Sequence, residues 1–124
     1  MDDIKIAGTQ KTPSVNFVSS EGFLEIKGRS IPENSIEFYR PLIEWIENYG
    51  KSPKSQTRVN IQLEYFNTSS SKCILDVFKK LETISNDVTI YWYYEEDDED
   101  MLEAGEDYDA IINIPFKIVE IEEP

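Results

Sequence analysis

The chain has 124 residues, 12 basic and 25 acidic, for a formal net charge of −13. A chain of that size forms one domain with its own hydrophobic core, and that charge repels nucleic acid and anionic lipid while suiting basic protein partners. Its one cysteine, Cys73, excludes an internal disulfide, and the absence of histidine removes a Ser-His-Asp triad, the usual general base and the commonest zinc ligand.

No run approaches the about 18 apolar residues of a membrane span. Met1-Asp2-Asp3 lacks the basic start of a signal peptide, so the expected location is cytoplasmic, with no membrane partner. Ile4-Lys5-Ile6 alternates and marks a short edge strand on a weak signal. Val15 and Phe17, then Leu24 and Ile26, alternate around the turn residues Ser19-Ser20-Glu21-Gly22, which predicts a hairpin broken by the run from Gly28 to Pro32. Asn34 followed by Glu37 has the spacing of a capping box. Ile36, Tyr39, Leu42 or Ile43, Ile46 and Tyr49 then mark the inner face of a helix that ends at Gly50, with Pro41 as a kink or a boundary inside it.

From Thr57 to Phe66 the period is two, with Val59, Ile61, Leu63 and Tyr65 on the inner face. From about Ser69 to Ile84 it becomes helical, with Ile74, Val77 or Phe78, Leu81 and Ile84 as the stripe. The change falls on Asn67-Thr68-Ser69-Ser70, residue types whose side-chain oxygens cap helix starts. A hydroxyl there stands at the positive end of a helix dipole, beside N–H groups that suit a phosphate. Asn86-Asp87 punctuates, and Val88 to Tyr94 is apolar or aromatic on both faces, as in a strand covered on both sides or flanked by two others. The strand, helix and strand from Thr57 to Tyr94 form a right-handed parallel crossover. The acidic run Glu95 to Asp100 starts a helix with Met101 or Leu102, Gly105, Tyr108 and Ile111 or Ile112 inward. Pro115 ends it, and Phe116 to Ile121 is a last strand. The whole is a single α/β (α+β) domain over residues 1–124, a mixed sheet with helices.

Three groups of residues compete as sites. The acidic run lacks the alternate ligands, turn glycine and closing glutamate of a calcium loop, and no nucleophile or oxyanion donors accompany any carboxylate pair. A small acidic-site metal-binding enzyme is therefore the lesser reading. Cys73 beside Ile74 reads as a core or boundary residue, and Trp45, Trp92 and Tyr91 to Tyr94 read as core. The hydroxyl cluster remains, with Asn67, Thr68 or Ser69 as a plain helix cap at the least.

Several motifs together resemble the SiaC family of bacterial regulatory phosphoproteins, over nearly the whole chain. They are Gly28 to Ser35, Glu37-Phe38-Tyr39, Leu63-Glu64-Tyr65-Phe66-Asn67-Thr68-Ser69-Ser70-Ser71-Lys72, and Trp92 to Met101. The resemblance implies a non-enzymatic switch with the STAS-like fold of anti-sigma factor antagonists and no cofactor or metal. It implies phosphorylation of Thr68 by a dedicated kinase and removal of the phosphate by a metal-dependent serine/threonine phosphatase. The unmodified protein would then bind and activate a diguanylate cyclase, through a switch loop and helix start of Asn67, Ser69, Ser70, Ser71 and Lys72. An anti-sigma-type partner switch with a different target is the alternative.

Overall fold

Each alternating run is a strand in the computed structural model, which describes residues 1–84 and 87–122. The strands are β1 (Ile4–Ile6), β2 (Ser14–Val18), β3 (Phe23–Ser30), β4 (Gln56–Phe66), β5 (Asp87–Glu95) and β6 (Phe116–Ile121). The helices are α1 (Ser35–Tyr49), α2 (Thr68–Leu81) and α3 (Glu99–Ile111). Among the described residues the strands make one six-stranded sheet in the order β1-β2-β3-β4-β5-β6. β1, β2 and β3 pair antiparallel, and β3 to β6 pair parallel. The expected order of elements holds, with the weak Ile4 to Ile6 signal present as an edge strand. Asn86, half of the expected punctuation before β5, lies outside the described residues.

Strand order has a physical consequence. Crossovers between parallel strands are right-handed, and here each one steps in the same direction across the sheet, so α1, α2 and α3 fall on the same face. Burial agrees: Leu24, Ile26, Val59, Ile61, Ile90 and Trp92, which register places side by side, are all at or near zero exposure. Trp92 sits at the centre, edge-on to Phe66 and Phe78 and tilted against Tyr108, with its indole N–H donated to the Met101 carbonyl at 2.9 Å. The opposite face is open to solvent. β5 is apolar on both sides because β4 and β6 flank it, not because layers cover both faces. Tyr91 and Tyr93 therefore leave the expected core and stand half-buried on the open face, where the Arg58 guanidinium lies 3.9 Å from the Tyr91 ring centroid and donates to the Tyr93 hydroxyl at 2.9 Å.

Four local expectations change. β3 does not end at Lys27 but continues through Gly28 (φ 115°) to Ser30, held by pairing to β4. The register slips there: Gly28 faces Leu63 but Arg29 faces Tyr65, so Glu64 is an extra residue on β4. A one-residue bulge inverts the alternation beyond it. Tyr65, expected inward, is 54% exposed, and Phe66 turns toward Trp92 instead. Ile36 likewise leaves the expected stripe at 66% exposure, because α1 turns Ser35, Tyr39, Leu42, Trp45, Ile46 and Tyr49 inward. Pro41 neither ends nor divides α1, which runs continuously past it, with Pro41 and Glu37, the residue one turn before it that loses Pro41 as a donor, both facing solvent. Gly50 does close the helix, in right-handed rather than left-handed geometry.

Gly105, which weakens the helix signal in the sequence, has its reason in α3. A Cβ at that position would meet Trp92 Cδ1 at 2.5 Å and Nε1 at 2.8 Å, so the glycine lets α3 lie directly on the indole. Alanine has a helix propensity better by about 1 kcal/mol, but overpacking a full core costs about 1–3 kcal/mol. Gly105→Ala should therefore destabilise the fold in urea denaturation, with a lower transition midpoint. A higher midpoint would mean that Trp92 moves aside freely.

Candidate functional site

The parallel arrangement sends β3, β4 and β5 out of the sheet at one end, and α1, α2 and α3 begin there. Each helix starts in the same way, with a side-chain oxygen accepting the N–H three residues on. Asn34 accepts from Glu37 at 3.1 Å, Asn67 from Ser70 at 2.9 Å and Asp98 from Met101 at 3.0 Å. Such caps satisfy backbone donors that the helix itself leaves unpaired. The capping box expected at Asn34 is only half formed, since the Glu37 carboxylate pairs with Arg40 at 2.7 Å instead. At the second helix Asn67 is the cap, and Thr68 is the first helical residue.

Beneath that start lies a chain of hydroxyl groups from three elements. Ser30 at the end of β3 donates to Ser70 Oγ at 2.9 Å, and its own oxygen lies 2.7 Å from the Tyr39 hydroxyl on α1. With the Ser30 proton directed to Ser70, the phenol of Tyr39 supplies the donor in the second contact. Burial pushes the Tyr39 phenol up to about 12, so it remains a neutral donor at any physiological pH. Ser35 Oγ lies 2.7 Å from Ser69 Oγ and 3.3 Å from Ser70 Oγ, which joins the first turns of α1 and α2 directly. The Asn67 N–H donates to the Ser30 carbonyl at 3.1 Å, and Ser69 Oγ donates to Asn67 Oδ1 at 3.2 Å. Buried polar groups are stable when they pair with one another in this way.

Thr68 stands on top of this network with its side chain exposed. Asn67 takes the Ser70 N–H with its side chain and the Ser71 N–H with its carbonyl, which leaves the Thr68 and Ser69 N–H groups for water or an anion. The first turn of α2 contains no acidic residue, unlike those of α1 and α3. Lys72 is exposed one turn on. The other expected switch residues divide. Asn67 and Ser69 shape the turn, while Ser71 donates to the Thr68 carbonyl at 2.9 Å and accepts at its own carbonyl from Tyr108 at 2.9 Å. Ser70 is fully buried, so it supports the helix start from below and offers a partner no surface.

Sequence reasoning missed Ser30, Ser35 and Tyr39 as parts of this site. The signal was the small polar residue at each strand-to-helix passage, whose common destination only the parallel order reveals. Cys73 is buried at the inner side of α2, and burial raises its thiol above the ordinary range. The acidic run forms the start of α3 with Asp98 as its cap. Among the described residues no three cysteine, aspartate or glutamate side chains gather to hold a metal ion, and no helix is long and apolar enough to cross a membrane.

Known proteins share this fold. The SiaC family model, described as that of a regulatory phosphoprotein, matches residues 6–121. An uncharacterised protein of Pseudomonas aeruginosa strain UCBPP-PA14 is 32% identical over 121 residues, covering 95% of this chain and 96% of its own. The structure of SiaC of Pseudomonas aeruginosa superposes with a TM-score of 0.89 at 31% identity, covering 98% of this chain and all of that one. A crystal structure of the diguanylate cyclase SiaD with its activator SiaC, from the same organism, contains a chain that matches at TM-score 0.90 and 31% identity, covering 96% of this chain and 100% of that one. The fold is thus the STAS-like one that the sequence motifs implied. With the family model, the curated relative and the solved structures all matching over nearly the whole chain, this chain belongs to the SiaC family of regulatory phosphoproteins.

Proposed function

We propose that this chain is a phosphorylation-controlled switch with no catalytic activity of its own. Unmodified, it binds and activates a diguanylate cyclase, and its output is cyclic di-GMP and the biofilm or aggregation behaviour that follows. A dedicated kinase phosphorylates Thr68, and a metal-dependent serine/threonine phosphatase reverses the modification. One observation carries the reading: in a chain with 25 acidic residues, an exposed threonine opens a helix whose first turn contains none. The complex of Pseudomonas aeruginosa SiaC with its cyclase supports the choice of target.

The mechanism follows from where charge is tolerated. A phosphate adds about −1.5 to −2 charges at neutral pH. At the start of α2 the helix dipole and the free Thr68 and Ser69 N–H groups favour an exposed anion by about 0.3–1 kcal/mol. The chain of Ser30, Tyr39, Ser35, Ser69 and Ser70 hydroxyls holds that helix start to β3 and α1 from beneath. Phosphorylation therefore leaves the fold in place and changes the surface. A partner that packs on the bare hydroxyl meets bulk, charge and a phosphate that has to lose its water.

Two measurements test this. Thr68→Ala should abolish phosphate incorporation by the cognate kinase, and Ser71→Ala should leave it largely intact. Ser70→Ala should act differently from both, lowering stability by about 1–3 kcal/mol in denaturant because it strips a partner from the buried Ser30 hydroxyl. Undiminished labelling of Thr68→Ala would move the acceptor elsewhere. The second measurement pairs melting curves with cyclase binding isotherms for the unmodified and Thr68-phosphorylated chain. The melting temperatures should be similar and the affinity at least about tenfold weaker after phosphorylation, which is about 1.4 kcal/mol. A large drop in melting temperature with affinity intact would contradict local exclusion.

A further inference from the structure

Two residues that the hydrophobic period assigns to the core stand on the surface, Ile36 at 66% and Tyr65 at 54% exposure. Each is there for a structural reason. The turn of α1 that directs Ser35 toward α2 leaves Ile36 outward, and the extra residue Glu64 rotates Tyr65 out of the core. Both belong to the rim that carries Thr68. Ile36 follows Ser35, whose hydroxyl is 2.7 Å from that of Ser69. Tyr65 is the last residue but one of β4, three residues before Thr68, and lines a shallow hollow with Glu64, Asp98 and Asp100 at the start of α3. Two large side chains that contribute little to the fold thus stand exposed at the two strand-to-helix passages, β3 to α1 and β4 to α2, whose helix starts the Ser35–Ser69 contact joins.

The charges around them define what fits. Ile36 lies in a shallow groove between α1 and α2 with Arg40, Glu44 and Asp76, and Glu64, Asp98 and Asp100 stand beside Tyr65. Of the nearby cations, Arg40 is already paired with Glu37 at 2.7 Å, and Arg29, opposite Tyr65 in the β3–β4 register, and Lys72 are exposed but are outnumbered by these carboxylates. We propose that Ile36 and Tyr65 are the two apolar anchors of the cyclase-binding surface, and that the cyclase covers them with an apolar centre ringed by lysine or arginine. The inference rests on the cyclase reading above and adds where and by what chemistry the cyclase docks. It also explains how phosphate can repel a basic partner. In open solvent, phosphate and basic groups attract, but under a partner that covers both anchors the phosphate has to be stripped of water, and that cost outweighs a screened attraction. Large apolar anchors at the centre of an interface carry most of the binding energy, and complementary charge at the rim adds salt-dependent steering.

The test uses the full chain and the cognate cyclase in titration calorimetry, with a melting curve for each variant. Ile36→Ser and Tyr65→Ser should each weaken binding at least about tenfold while melting as the wild type does. The control is Ile111→Ser: Ile111 is 50% exposed, but its carbonyl accepts from Lys79 near the far end of α2, away from Thr68. It should bind as the wild type does. Raising salt should weaken wild-type binding. If the wild type binds and both rim variants match it, or if its affinity rises with salt, this docking surface is wrong while the switch reading stands. If the unmodified wild type does not bind the cyclase at all, the switch reading itself fails and takes the docking surface with it.

Discussion

Four neighbouring strands, β3 to β6, run parallel in the order in which the chain makes them. Right-handed crossovers then leave the helices no choice of face, and every helix has to begin at the end of the sheet where the strands finish. The remainder of the molecule follows from that constraint. One face carries α1, α2, α3 and the core around Trp92, and the other is left to Arg58, Tyr91 and Tyr93. One rim collects three capped helix starts, and with them the positive ends of three dipoles.

Those three starts share a cap geometry yet differ electrostatically. Glu37 neutralises the first turn of α1, and Glu99 and Asp100 that of α3. α2 alone is left uncompensated, and its first residue is an exposed threonine. The proposed phosphorylation site thus coincides with the omission of carboxylates at one helix start, in a chain that otherwise uses them freely. The acidic run at the start of α3, which resembles a metal loop only by composition, caps a helix and gives the rim its negative border.

A switch of this kind needs a rigid base under a variable surface. The base is the chain of buried hydroxyls from Tyr39 through Ser30 to Ser70, with Ser35 and Ser69 as the second link. Hydroxyls suit the role because each can both donate and accept, so a short chain satisfies itself without charge. The proposed surface is Thr68 with Ile36 and Tyr65, all three exposed and none required by the core. In the proposed switch, stability and signalling draw on different side chains of the same two turns, and a change at one need not disturb the other.

The sequence by itself determined the element order, the β4-to-α2 passage and the threonine at its start. These are local properties, written in hydrophobic period and in the capping preferences of Asn67 and its neighbours. It also determined the single domain and the inward stripe of α2, where both Val77 and Phe78 proved buried. Only the tertiary structure decided that Ser70 is support rather than surface, because burial depends on what β3 and α1 place above it. Only the pairing of β3 with β4 revealed the bulge at Glu64, since a register shift is a relation between two strands and leaves no mark in either one alone. Tyr65 and Phe66 exchange faces for that reason. The same holds for Gly105, which reads as a helix defect in one dimension and proves to be the space that Trp92 occupies in three.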